Sequence, residues 1–174
     1  MTDQSEVLVL GGGCFWCLEA IFQAVPGVEK VVPGYAGGEA PDPSYEEVCR
    51  GTTGHAEVVQ IHFDREVVSV PELLNLFWRA HDPTTRNRQG GDVGTQYRSI
   101  ILFSGEEQKR QALESRSAAQ SDFPQPIVTE IELLAEFYPA EGYHHDYYRN
   151  NPGAPYCAFV IQPKLAKLGM DAQP

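Results

Sequence analysis

The sequence predicts an α/β fold of two layers, a mixed or antiparallel sheet with helices packed against it. Three observations carry this. Strand-like and helix-like periodicities alternate along the chain instead of segregating into blocks. No repeat, heptad run or linker interrupts the 174 residues, a length suited to one domain with a single core. The stretch 139–174 is rich in Pro, Gly, Tyr and Asn and reads as a long irregular C-terminal tail. One domain over 1–174 follows, with its core at about 5–138.

Residues 5–10 (S-E-V-L-V-L) read as a strand that Gly11-Gly12-Gly13 terminates. Residues 14–24 carry Phe15, Leu18, Ile21 and Phe22 at helical spacing, and Pro26-Gly27 ends that helix. A strand over 28–32 leads into a Gly- and Pro-rich loop over 33–45, long enough to be functional. The 56–63 segment alternates as a strand, with Val58, Gln60 and His62 on one face and Val59, Ile61 and Phe63 on the other. A helix over 71–80 opens with Pro71-Glu72 and presents Leu73, Leu74, Phe77 and Trp78 as one stripe. A polar loop over 81–96, a strand over 97–103, a polar helix over 105–120 and an outer strand over 127–133 complete the core. The tail offers a helical turn or two around 144–148. This order of elements is compatible with a ferredoxin-like core.

The chain holds 24 acidic against 13 basic residues, a formal net charge of −11. That balance argues against nucleic acid and against an anionic membrane surface as partners. No apolar run reaches a spanning length and no secretory leader pattern opens the chain, so a cytoplasmic monomer is the expectation. Four cysteines are too few for a disulfide scaffold. Two of them form Cys14-x-x-Cys17, which in a reducing compartment means redox or metal chemistry.

A strand, three glycines and a cysteine at the mouth of a helix form a specific arrangement. The first helical amides have no intrahelical partner and the positive helix end favours an anion, so a thiolate is expected at Cys14. The glycine run lacks the Lys-Ser/Thr ending of a phosphate loop. A zinc half-site would need partners that the isolated Cys49 and Cys157 do not supply, and a buried structural pair leaves Phe15-Trp16 unexplained. Two aromatics beside a nucleophile can form an apolar pocket for a group as small as a methyl.

Glu57 shares strand parity with Val59 and Ile61, which puts a carboxyl on the apolar face. Such a group needs a partner or takes a raised pKa suited to a general acid; an exposed strand-end glutamate is the bland alternative. Asp92 lies between glycine and valine in a loop, where a turn role competes with a catalytic one. Tyr45 and Tyr97 follow polar loops and can donate hydroxyl hydrogen bonds, or simply pack. Glu141, His144 and His145 have a spacing open to a metal but no cluster to complete it, so packing is favoured. Cys157, in Pro155-Tyr156-Cys157, is placed to reach an oxidised cysteine from a mobile tail. Cys17, one turn along a rigid helix, is the alternative with restricted access, and Cys49 reads as structural.

These residues bring out a resemblance. Gly13-Cys14-Phe15-Trp16-Cys17, Gly34-Tyr35-Ala36-Gly37-Gly38, Tyr45-Glu46-Glu47-Val48-Cys49, Gly54-His55-Ala56-Glu57-Val58, His81-Asp82-Pro83-Thr84, Asp92-Val93-Gly94-Thr95-Gln96-Tyr97-Arg98-Ser99 and Glu141-Gly142-Tyr143-His144 occur in the order of the A-type peptide-methionine sulfoxide reductases, which act on the S epimer. The chain closely resembles that family from about Val7 to Cys157.

The resemblance implies that Cys14 attacks the sulfoxide sulfur while Glu57 protonates its oxygen. It also implies that Tyr45, Tyr97 and Asp92 hold that oxygen or its water, and that Phe15 and Trp16 cradle the methyl. The product on Cys14 is a sulfenic acid. Cys157 then resolves it to a disulfide that thioredoxin or a similar reductant reopens by exchange. No cofactor and no metal is implied. Some members carry a second distal tail cysteine, which 160–174 lacks, so no further internal relay is expected. The competing readings are a general thiol–disulfide oxidoreductase resting on Cys14-x-x-Cys17, and a zinc-binding interaction module.

Overall fold

The computed structural model describes residues 4–170. In chain order it builds β1 (Ser5–Gly11), α1 (Phe15–Gln23), β2 (Val28–Ala36), α2 (Tyr45–Cys49), β3 (Ala56–Asp64), α3 (Val70–Ala80), β4 (Arg88–Gln89) and β5 (Asp92–Val93). There follow β6 (Ile100–Phe103), α4 (Gly105–Ala119), β7 (Glu130–Leu133), β8 (Phe137–Pro139), α5 (Tyr147–Asn150) and α6 (Gln162–Lys167). Six strands make one mixed sheet in the order β7-β6-β1-β3-β2-β8, while β4 and β5 pair as a separate ribbon. The inner four strands run antiparallel and β7 adds parallel to β6. Taken with α1 and α3, the order β6-β1-β3-β2 is the ferredoxin-like arrangement, so the predicted α/β two-layer class holds.

The sheet curls, and the chain itself requires it. Only Leu134, Ala135 and Glu136 separate β7 on one edge from β8 on the other. That connection spans about 14 Å at most, whereas six flat strands would hold their edges about 24 Å apart. Leu134 and Phe137 close over a small cluster of Val9, Ala36, Ala56, Val58, Ile100 and Leu102. The opposite face carries the main core, in which Leu8, Leu10, Val59, Ile61 and Phe63 meet Phe15, Leu18 and Phe22 of α1 and Leu73, Leu74 and Phe77 of α3. Strand parity therefore sorts β3 between two cores as its alternation predicts.

Several segments depart from expectation. β2 continues through Pro33 to Ala36 where a loop was expected. β8 begins pairing only at Gly34, so the missing N–H of Pro33 costs no ladder bond there, and its carbonyl accepts from Ala140 N–H at 2.9 Å. Helix α2 starts at Tyr45, the last residue of the expected loop, and runs through a stretch given no element, opened by a capping box between Ser44 and Glu47. The tail is the largest correction. Residues 139–170 keep irregular stretches and the expected turns near 144–148, but add a π-helical turn Cys157–Ile161 and α6, with Cys157, Ile161 and Leu165 buried at four-residue spacing.

Candidate active site

The glycine turn brings three strands' ends together. A Cβ on Gly12 would stand 2.8 Å from the His81 ring, and Gly13 takes φ +89°, which only glycine adopts without strain. His81 is held by the Phe77 carbonyl and the Ser99 hydroxyl, each at 2.7 Å. Burial lowers its pKa to about 4, so it stands neutral. The Gly13 N–H donates to the Tyr97 carbonyl at 3.2 Å, tying the turn to a 3-10 turn over Thr95–Tyr97. That turn also delays the expected 97–103 strand to Ile100.

Cys14 is the N-cap of α1 in extended geometry, and its carbonyl accepts from Cys17 N–H at 3.1 Å. The predicted thiolate is not what the surroundings favour. Burial pushes the Cys14 thiol well above its usual range, Glu57 and Cys17 add to this, and the Trp16 N–H and Tyr156 phenol oppose it. The positive helix end is outweighed because desolvation acts on the whole buried thiol and an acidic neighbour faces it.

Glu57 is that neighbour, 1% exposed on β3 among Val59 and Ile61. Its Oε1 accepts the Phe15 N–H at 3.1 Å, taking up a first-turn amide that α1 cannot satisfy. Its Oε2 is buried and without a hydrogen-bond partner. Burial raises its pKa to about 8, with the Phe15 N–H pulling down and Asp92 pushing up. Glu57 is thus a neutral carboxylic acid near pH 7, one oxygen anchored beside the nucleophile's peptide and the other unengaged.

Phe15 is fully buried and Trp16 half-buried. Phe15 stacks with Tyr45 at 6.3 Å between centroids and also meets Tyr35 and His144. Trp16 stacks on Tyr147 at 3.8 Å, and its indole N–H donates to His144 Nδ1 at 3.1 Å. Tyr45 and Tyr97 are half-buried near Glu57, and burial followed by that carboxyl raises both phenols. The Tyr45 hydroxyl reaches the thiol of Cys49, which is exposed at the end of α2 rather than part of the core. Asp92 accepts the Tyr156 hydroxyl at 3.1 Å. Tyr156 in turn lies 3.5 Å from Cys17 Sγ.

Cys157 corrects the picture of a thiol on a mobile segment. It has no exposed surface and sits in the π-helical turn packed against α1. All four cysteines are free. Among the described residues no three His, Cys, Asp or Glu side chains gather as a metal site.

Sequence reasoning gave no such role to several residues that build this site. Glu141 accepts the Tyr35 hydroxyl at 2.8 Å and the Tyr45 N–H at 2.9 Å, fixing the aromatic wall. Glu19 accepts the N–H groups of Asp146 and Tyr147 at 2.7 and 3.1 Å, clamping the tail onto α1 so that Tyr147 covers Trp16. A glutamate inside the apolar pattern of α1 was the available signal. Tyr156, the residue before Cys157, had none beyond that adjacency.

Comparison with known proteins places the chain in a family. A family model described as peptide methionine sulfoxide reductase matches residues 6–173. A peptide methionine sulfoxide reductase MsrA of Leptospira borgpetersenii is 59% identical over 162 residues, covering 93% of this chain and 92% of that protein. The methionine sulfoxide reductase A of Corynebacterium diphtheriae superposes with a TM-score of 0.84 at 39% identity, covering 87% of this chain and 77% of that one. Mxr1 of Saccharomyces cerevisiae in its reduced form gives 0.85 at 34% identity, covering 90% and 91%. With the fold, the ordered motifs and these matches together, the chain belongs to the MsrA family of peptide methionine sulfoxide reductases.

Proposed function

We propose that this enzyme reduces methionine-S-sulfoxide, free or within proteins, using Cys14 as nucleophile and Glu57 as acid. The observation that carries this reading is the unengaged Glu57 Oε2, a buried oxygen of a carboxyl whose pKa is raised to about 8, acting on a thiol that can take oxygen from sulfur. Sulfoxide oxygen leaves sulfur poorly unless a proton reaches it, and the raised pKa keeps that proton in place near neutral pH. As the Cys14 sulfur bonds to the substrate sulfur, Glu57 gives its proton to the oxygen and the carboxylate that remains takes up the Cys14 proton; the bond between the two sulfurs then breaks as the hydroxyl passes to Cys14. The net change is one oxygen atom moved, sulfoxide plus thiol giving methionine plus Cys14 sulfenic acid.

Phe15 and Trp16 receive the methyl, while Tyr45, Tyr97 and Asp92 hold the oxygen or its water. A sulfoxide sulfur is pyramidal, with three different substituents. Fixing the methyl on an aromatic wall and the oxygen on Glu57, with attack from Cys14, leaves one direction for the rest of the side chain. Only one epimer meets all three constraints. The oxidation then passes to a disulfide ending on Cys157, and a thioredoxin-like dithiol reopens it by exchange. Working as a monomer in a reducing cytoplasm suits that regeneration.

The test is consumption of blocked methionine sulfoxide with dithiothreitol and then with thioredoxin. The S epimer is consumed and the R epimer is not. Equal use of both, or reduction of insulin without sulfoxide turnover, would reject this reading in favour of a general oxidoreductase.

A further inference from the structure

We infer that Cys17 makes the first thiol step after sulfoxide reduction and hands the oxidation to Cys157, so that three cysteines form a relay. The inference rests on the reading above, in which Cys14 becomes a sulfenic acid.

Cys14 and Cys17 are placed to join. Cys14 is the extended N-cap, outside the helix proper, so its side chain is not bound to the helical register. The 3.1 Å bond from Cys17 N–H to the Cys14 carbonyl closes a four-residue turn. Such a turn brings its end Cα atoms within about 7 Å, and disulfides join Cα atoms up to about 6.8 Å apart. Both cysteines line one cavity of about 300 Å³, with Asp92, Tyr156 and Lys164 on its walls.

Cys17 also has groups that serve a resolving thiol. The Tyr156 hydroxyl lies 3.5 Å from its sulfur. Burial raises the Cys17 thiol, with Asp92 and Glu57 adding to it, while the Lys164 charge and that phenol work in the opposite direction. Cys157 is differently placed. It does not line the cavity, has no exposed surface, and lies one residue from the tyrosine that touches Cys17. Its turn packs on α1, the helix that carries Cys17, and Cys17 adds to the burial that raises its thiol. Cys17 therefore stands between the nucleophile and the tail cysteine.

The steps balance. The Cys17 sulfur attacks the Cys14 sulfenic sulfur, the S–O bond breaks, and the hydroxyl leaves as water with the Cys17 proton. The Cys157 sulfur next attacks Cys17. The Cys14–Cys17 bond breaks, Cys14 departs with the proton Cys157 gives up, and a Cys17–Cys157 disulfide remains. Two electrons from an external dithiol restore both thiols. Cys14 is free for another substrate before that reductant arrives.

The experiment mixes the full chain with one equivalent of blocked methionine-S-sulfoxide without reductant, traps thiols and sulfenic acid at intervals, and maps the products by mass. The count is taken per methionine released. Wild type is expected to show Cys14–Cys17 first and Cys17–Cys157 later. Cys157→Ser is expected to stop at Cys14–Cys17. Cys17→Ser is expected to leave Cys14 as a dimedone-trappable sulfenic acid at least tenfold longer, and Cys17→Ala, which buries no hydroxyl, to match it. Formation of Cys14–Cys157 in the Cys17 variants as fast as the wild type loses its sulfenic acid would overturn the relay and leave the catalytic reading standing. No methionine from wild type would overturn both.

Discussion

The Phe15 backbone N–H donates to Glu57 Oε1 at 3.1 Å, joining the acid to the peptide that follows the nucleophile. One bond thereby sets the distance between two reacting groups that come from different elements, α1 and β3. It also leaves Oε2 as the carboxyl's working oxygen. Glu57→Gln keeps an acceptor for Phe15 but removes the transferable proton. Methionine release in a single turnover, followed by rapid quench, is expected to slow by about 100-fold or more. A rate within twofold of wild type would remove the acid role.

The same carboxyl predicts a pH limb. Its pKa is raised to about 8, so the protonated form that donates is present below that value and is lost as pH rises through it. The single-turnover rate is expected to fall above pH 8, about tenfold per unit, and Glu57→Gln is expected to lack that limb. A wild-type rate that keeps rising past about pH 9 would show that Cys14 ionisation, not Glu57 protonation, governs the step.

Glu19 gives a stability prediction of its own. Its two accepted N–H bonds hold the tail on α1, and glutamine can accept only one of them. Glu19→Gln is expected to cost about 1–3 kcal/mol in urea unfolding near neutral pH, the penalty of a buried donor left unpaired. Burial raises the Glu19 pKa from 4.5 to about 7, against the pull of those N–H groups. The folded state therefore holds that proton more tightly, and the stability it contributes is present below pH 4.5 and declines up to about pH 7. The gap between wild type and variant should change across that window and level off above it.

Trp16 is oriented by Tyr147 beneath it and His144 at its N–H. Trp16→Phe removes the hydrogen bond and part of the wall against the methyl. KM for the S epimer is expected to rise about tenfold or more with a smaller change in kcat, in line with one pocket contact. An unchanged KM would place the methyl elsewhere.

How much of this was legible in the sequence follows the range of the physics involved. The β3 alternation located Glu57 on the buried face because parity is a local property, and Gly13-Cys14 marked the helix mouth for the same reason. Helix α2 was legible as Ser44-x-x-Glu47 but hidden by the glycines and prolines before it. The tail was misread on composition, although Cys157, Ile161 and Leu165 carry a helical spacing. The ionisation of Cys14 was not legible. The helix end that favours a thiolate is local, whereas the burial and the Glu57 carboxyl that oppose it arrive through tertiary packing. Glu141 and Glu19 act across 96 or more residues and Tyr156 across 64 or more, and none leaves a local pattern.

The most direct measurement of the central claim is a single turnover of blocked methionine-S-sulfoxide with wild type and Cys14→Ser, scoring methionine released and dimedone adducts on each cysteine. The account predicts about one methionine per wild-type chain with the first adduct on Cys14, and none from Cys14→Ser. Methionine release by Cys14→Ser, or a first adduct on Cys17, Cys49 or Cys157, would contradict it.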